Sequence, residues 1–371
     1  MPHIIIVGGG LAGLASALSL RRAGHTVQYK VFEASQLGFR DTEGTIAQIG
    51  PKVNDILTRW GVDAAVSRPV LIKEVSEFGQ DGTLRDTYEG PKPPGWSYYQ
   101  RTRLHEALLQ SATAPTGSGH PVQIISGMKI SVIDPDAGLV ISQEGQTYHG
   151  DAIIGADGWH SISRKALPLN DTTVPAPAKR DSACNLNDMR NGAEQTPNSN
   201  YILSSRGPFS WIQRFRYRAQ SASLGFKFIS FSLEVGCYIC GYTNSDKLDL
   251  SEESLKEELL RVFGCADSPL RDLLNAAKYE NIQFWFYPIL PHVEEWAFRR
   301  LVLIGDAAHP FLPFEPPGIS QSITGADALA EELRSDVQVD DIPEHLAAWV
   351  IPRKERVKTI LGMERNDWLP T

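Results

Sequence analysis

Three successive glycines, Gly8-Gly9-Gly10, are followed by Leu11-Ala12-Gly13, so the segment satisfies G-x-G-x-x-G. It stands right after the apolar run Ile4-Ile5-Ile6-Val7 and at the head of a stretch with helical spacing, Leu11 to Ala23. In a strand–turn–helix each glycine has a task. Gly8 permits the tight turn, Gly10 lets a pyrophosphate approach backbone N–H groups at the positive helix end, and Gly13 lets helix and strand pack closely. Glu33 ends the next strand, twenty residues beyond Gly13, where a carboxylate would accept from ribose hydroxyls. A dinucleotide held by Gly8, Gly10, Leu11, Ala12, Gly13 and Glu33 is therefore expected. The motif alone does not separate NAD from FAD.

Cys237-Tyr238-Ile239-Cys240 has the C-x-x-C spacing of redox and zinc motifs. Its flanks read as strand, where residues three apart point to opposite faces, and no second C-x-x-C completes a zinc set. No metal site is expected.

The elements that would position these residues begin with a βαβ unit: Ile4 to Val7, Leu11 to Ala23, and the alternating Val27 to Glu33. Arg103 to Ser111 reads as helix and Val122 to Ile125 as strand. Leu139 to Ser142 and Thr147 to His149 read as a hairpin around Glu144-Gly145, and Ala152 to Gly155 as a buried strand. From Thr173 to Asn200 the composition turns to Pro, Asn, Asp and Ser, which suits a surface connection or lid. Aromatic-rich strands follow at Ser210 to Arg216, Leu224 to Leu233, Tyr238 to Thr243 and Asn281 to Leu290, with a helix at Leu255 to Phe263. Arg300 to Ile304 returns to the buried strand type. A helix opens at Pro316-Pro317-Gly318 and runs to about Leu333, and His345 to Gly362 forms a last helix interrupted or begun again at Pro352.

The 371 residues exceed what one core fills, so two lobes with a cleft are expected. A formal net charge of −8 argues against nucleic acid or an anionic membrane as partner, since both reward clustered Lys and Arg. A small molecule is the expected partner. The beginning of the chain shows no basic leader, no apolar stretch reads as a membrane span, and four cysteines suit a reducing compartment, so a cytoplasmic location is expected.

Two later segments bear on the cofactor. Gly155-Ala156-Asp157-Gly158 through Ser161 to Arg164, and Gly305-Asp306-Ala307-Ala308-His309-Pro310, each follow a buried strand. Both resemble signatures of the class A FAD-dependent aromatic-ring monooxygenases, the family typified by p-hydroxybenzoate hydroxylase and salicylate hydroxylase. Gly44 to Pro51 looks like that family's segment passing the flavin, and Arg101-Thr102-Arg103-Leu104 like its Arg-x-x-Leu. Leu312-Pro313 with Gly318-Ile319-Ser320-Gln321 resembles the loop and helix start beneath the isoalloxazine. The matches run in order along nearly the whole chain.

The resemblance implies an α/β fold, with a Rossmann-like FAD-binding domain of the p-hydroxybenzoate hydroxylase type, an interleaved β-sheet substrate domain and a C-terminal helix. The FAD domain would take residues 1–70, 99–165 and 291–340, the substrate domain 71–98 and 166–290, and the helical end 341–371. It also implies that Asp306 bonds the ribityl chain, that Arg101 contacts the flavin, and that Asp157 serves FAD and NAD(P)H. Gly44, Pro313, Gly318 and Ile319 would line the cofactor. Backbone N–H groups at Gly318 and Ile319, at a helix N-terminus, would stabilise negative charge on reduced flavin. No second G-x-G-x-x-G exists for nicotinamide, as in the family, where NAD(P)H visits transiently.

The implied activity is an NAD(P)H-consuming monooxygenase that uses FAD and O₂, through a flavin C4a-hydroperoxide, to hydroxylate an aromatic or electron-rich small molecule. A phenolic substrate would need a base, for which His292, Tyr201 and Tyr287 are candidates; a lone His or Tyr on an aromatic sheet is more often a core or pocket residue. Three departures stand out: Phe314-Glu315-Pro316-Pro317 where relatives carry a Gln, Thr324-Gly325 in place of a Glu-Asp pair, and two extra residues before Glu33. Rival readings are another FAD oxidoreductase on this fold, of halogenase or reductase type, a non-catalytic flavin-binding relative, and a flavin-free NAD(P) dehydrogenase. The halogenase signature Trp-x-Trp-x-Ile-Pro is absent.

Overall fold

The run Ile4–Val7 (β1) is buried at every position, as a strand covered on both faces must be. The computed structural model describes residues 2–23, 29–35, 46–78, 84–89, 92–168, 183–186, 210–215, 217–218, 224–232, 236–243, 293–311 and 317–368. From β1 the chain enters helix α1 (Leu11–Arg22) and returns in β2 (Tyr29–Glu33), parallel to β1. Then come β3 (Ile46–Ile49), α2 (Pro51–Arg59), α3 (Ala64–Ser67), β4 (Val70–Phe78), β5 (Leu84–Glu89) and β6 (Ser97–Gln100). Helix α4 (Arg101–Thr113) leads to β7 (Gln123–Ser126), and β8 (Ile130–Asp134), β9 (Leu139–Ser142) and β10 (Thr147–His149) precede β11 (Ala152–Gly155).

Past a short 3-10 turn at Ser163–Ala166 lie β12 (Ala183–Leu186), β13 (Ser210–Phe215), β14 (Tyr217–Arg218), β15 (Leu224–Ser232) and β16 (Gly236–Thr243). The chain ends in β17 (Ala297–Phe298), β18 (Leu301–Leu303), a 3-10 turn at Gly305–Ala307, α5 (Pro317–Glu332) and α6 (Ile342–Trp368).

Among the described residues the strands make three sheets. The first has the order β17-β18-β11-β1-β2-β7 and is parallel except at β17. The second is the antiparallel β10-β9-β8. The third is mixed, β12-β16-β15-β13-β4-β6-β3, with β14 on β15 and β5 on β4. Helix α1 is buried on nearly all sides because α4 and α5 both pack on it, and Ser19 Oγ donates across to the Ala326 carbonyl at 2.9 Å. The main core is continuous through β1, β11, β18, α1 and α5.

Several boundaries differ from the sequence expectation. Arg101 is the first residue of α4, where the sequence placed the helix start at Arg103. The stretch from Thr173 to Asn200 contains β12, an edge strand made by pairing with β16. Helix α6 begins at Ile342 and runs through Pro352 without a break. Proline removes the N–H that would bond the carbonyl four residues back, and Ala348 and Pro352 are both exposed, a position where water can take the place of the missing donor. Cys237 and Cys240 both lie in β16, as the strand reading of their flanks expected. The expected helix at Leu255 to Phe263 and strand at Asn281 to Leu290 lie outside the described residues.

Candidate cofactor site

The site is built at the carboxyl ends of β1, β2, β11 and β18, where an open parallel sheet offers a crevice. Gly8 has φ +102°, and a Cβ there would lie 2.4 Å from the Ala156 carbonyl oxygen, so only glycine fits between β1 and β11. A Cβ on Gly13 would fall 1.9 Å from the Gly8 oxygen, which makes Gly13 the contact between α1 and the turn. Gly10 is different. It is the residue preceding α1, no side chain caps the helix there, and a Cβ on it would meet nothing within 4 Å. The turn thus presents backbone N–H groups beside open space, which fits a pyrophosphate. Leu11 is buried in the core and Ala12 half-buried, so both serve this place through their backbone.

Glu33 stands beside the turn at the end of β2. Its Oε2 accepts from Gly9 N at 2.7 Å and its Oε1 from Ser35 N at 2.8 Å, which leaves each oxygen a further lone pair for a ribose hydroxyl.

The opposite wall comes from the two later motifs. Gly305, at φ +64°, brings its turn against the head of α1, where a Cβ would meet Ala12 Cβ at 2.7 Å. That contact sets the residue before Asp306 against the first turn of α1. Burial pushes the Asp306 carboxyl above the ordinary carboxylate range, against the opposing pull of Arg101 and Arg164. Arg101, at the start of α4, is therefore close enough to share Asp306's field, and the structure unites two residues 205 apart in the chain. Gly318 lies in the first turn of α5, where a Cβ would touch Phe311 Cβ at 3.3 Å, and Ile319 packs on the main core.

Asp157 has local bonds. Its Oδ1 accepts from Ser161 Oγ at 2.6 Å, and its Oδ2 from Ile162 N at 2.8 Å and Ser163 N at 2.9 Å. It thereby fixes the turn after β11. Gly44 and Pro313 of the expected cofactor set, and the base candidates His292, Tyr201 and Tyr287, lie outside the described residues.

Two residues at the site escaped the sequence reading. Arg164 donates from Nε to the Ala307 carbonyl at 3.0 Å, from Nη2 to the Asp306 carbonyl at 2.8 Å and from Nη1 to the Trp159 carbonyl at 3.3 Å. One guanidinium therefore joins the two motif segments. The other is His105 in α4, whose Nε2 lies 2.8 Å from the Gly9 carbonyl oxygen. The signal for Arg164 was its place at the end of a motif; for His105 there was none beyond its distance of one turn from Arg101. Behind this wall His309 is buried between Trp296 and Phe311, with ring centroids 5.1 and 5.5 Å away, and burial pushes its pKa down to about 3. Among the described residues no group of His, Cys, Asp and Glu is arranged to hold a metal, and no helix is long and apolar enough to cross a membrane.

Comparison with known proteins agrees with this geometry. The family model described as FAD binding domain matches residues 2–362. Hispidin-3-hydroxylase of Neonothopanus nambi is 26% identical over 96% of this chain and 86% of its own length. The 3-hydroxybenzoate 6-hydroxylase of Polaromonas naphthalenivorans (strain CJ2) is 25% identical over 98% of this chain and 86% of its own. Among solved structures, CtdE in complex with FAD and a substrate superposes with a TM-score of 0.77 at 18% identity, covering 99% of this chain and 88% of that one. The fold is that of the p-hydroxybenzoate hydroxylase type, the cofactor is FAD and the enzyme class is FAD-dependent monooxygenase. With a family model matched over residues 2–362, the chain belongs to the FAD binding domain family.

Proposed function

We propose that the protein hydroxylates an aromatic or similarly electron-rich small molecule at the expense of NAD(P)H and O₂. The observation that carries this reading is the open cradle beside Gly10, framed by Glu33 on one side and by Asp306 within the field of Arg101 on the other. Bound FAD supplies the passage of two electrons from a reduced nicotinamide to O₂ and the delivery of one oxygen atom.

The chain's own residues bind and orient. Glu33 accepts from the adenosine ribose, and the N–H groups from Gly10 to Gly13 take the pyrophosphate. Asp306 would accept from a ribityl hydroxyl, and Arg101 would contact the flavin. Asp157 shapes the turn that NAD(P)H approaches, and Gly44 and Pro313 line the flavin by family pattern. The N–H groups at Gly318 and Ile319, in the first turn of α5, would stabilise negative charge on the reduced flavin, which the helix dipole favours there.

Residues 71–98 and 166–290 supply the substrate side in this reading, and their aromatic-rich strands suit a flat apolar ring. The relatives named for hispidin and 3-hydroxybenzoate support an aromatic substrate. A base for a substrate phenol is sought among His292, Tyr201 and Tyr287, and the reaction is placed in the cytoplasm, where NAD(P)H is supplied.

The test is an absorption spectrum of the protein with added FAD, followed by NAD(P)H oxidation in air across phenolic and indolic compounds. Flavin bands with substrate-stimulated oxidation and a product heavier by one oxygen are expected. Flavin bands without any oxygenated product would refute the proposed reaction.

A further inference from the structure

The peptides on both sides of Gly9 are held by side chains from two different elements. The Gly9 N–H donates to Glu33 Oε2, at the end of β2, at 2.7 Å. The Gly9 carbonyl oxygen lies 2.8 Å from His105 Nε2, in α4. A carbonyl oxygen only accepts, so the Nε2 atom carries the proton and donates. His105 is buried, at 7% exposure. Its desolvation lowers the imidazole pKa against the opposing effects of the Gly9 carbonyl and Glu33, so at neutral pH the ring is neutral and its single N–H is committed to Gly9.

A run of three glycines has no side-chain sterics to favour one conformation. Something else must fix it. The Gly9 carbonyl and the Gly10 N–H share one planar trans peptide and point in opposite directions. Holding the carbonyl toward α4 therefore turns the Gly10 N–H away from α4, at the residue whose flank is open.

We propose that His105 is a positioning residue of the cofactor site, whose Nε2–H holds the Gly9–Gly10 peptide in the orientation that receives the FAD pyrophosphate. The inference rests on reading the glycine turn as the FAD site. His105 acts through Gly9 and need not touch the cofactor. A merely space-filling histidine would be replaceable by any side chain of similar volume, whereas a positioning one is replaceable only by a donor of equal reach.

The experiment compares the full-length wild type with His105→Gln, His105→Asn and His105→Leu, each stripped of flavin and titrated with FAD by fluorescence, with thermal melting of the stripped protein alongside. Gln carries an N–H donor at about the place of Nε2; Asn carries the same amide one carbon short; Leu has similar bulk and no donor. The expected result is a dissociation constant raised about tenfold or more in Leu and Asn, and kept within about threefold of wild type in Gln, with similar melting of the stripped proteins. If Leu does not fold, the Gln and Asn pair decides alone. FAD affinity in Leu equal to wild type, or in Gln no better than in Asn, overturns the positioning role while leaving the cofactor reading intact. A wild type that takes up no FAD overturns both.

Discussion

At the scale of single residues, two buried titratable groups have opposite consequences. Asp306 is held in a turn where burial disfavours its charge and two arginines favour it. A hydroxyl donating to that carboxylate would gain a charge-assisted bond, so Asp306→Ala should weaken FAD binding at least tenfold, measured by fluorescence titration, while the circular dichroism of the stripped protein stays unchanged. His309 has no role toward the cofactor in this reading, yet it governs acid stability. Its pKa is about 3 in the folded chain against an ordinary 6.5. Above 6.5 the ring is neutral in both states and contributes no pH dependence. Below that, the unfolded chain takes up a proton that the folded chain refuses, so stability falls with pH down to about 3, with a slope of up to about 1.4 kcal/mol per unit. Urea melts between pH 6 and 4 should show a shallower loss in His309→Leu than in wild type, and parallel profiles would refute this. Glu33 and Asp306 were legible in the sequence because spacing from a glycine motif and an ordered series of matches marked them. Arg164 was marked only by its place at the end of a motif and His105 not at all, since their partners are backbone atoms 142 and 96 residues away, and a backbone carbonyl has no signature in a sequence.

At the scale of elements, the buried strands and α1 followed from apolar runs and helical spacing, and the structure keeps them. Strand β8 was missed because a register shift between Ile130 and Val132 breaks the alternation by which strands are read. Strand β12, Ala-Cys-Asn-Leu, has little strand character of its own and exists through its pairing with β16. One interaction between elements carries a prediction. Arg21, near the end of α1, is 2% exposed and donates to the carbonyls of Ser111, Ala112, Ala114, Thr116 and Ser118. A single guanidinium thus caps the C-terminal end of α4 and the loop beyond it, where a cation opposes the helix's negative pole. Arg21→Met keeps much of the stem and leaves those carbonyls without their donor. It should cost about 2–4 kcal/mol in equilibrium urea unfolding; a loss under about 0.5 kcal/mol would show that water replaces the donor freely.

At the scale of the whole molecule, the crevice is lined from widely separated stretches, so FAD should act as a clamp on the fold. Ligand at a hundred times its dissociation constant adds about 2.7 kcal/mol to stability, enough for a rise of several degrees in melting temperature. Gly10→Val should abolish that rise, because it fills the open space where the pyrophosphate is received, and a variant that still showed it would place FAD elsewhere. The guanidinium of Arg164 has a consequence in time. Its partners at Asp306 and Ala307 emerge from the ribosome 142 and 143 residues after it, an interval of roughly 7 to 30 seconds at ordinary rates of synthesis. Through that interval the nascent glycine turn lacks its facing wall, and a chain stopped before β18 can display the N-terminal motif complete while having nowhere to keep the cofactor. Flavin capture is therefore expected only once the stretch from β18 onward has been made.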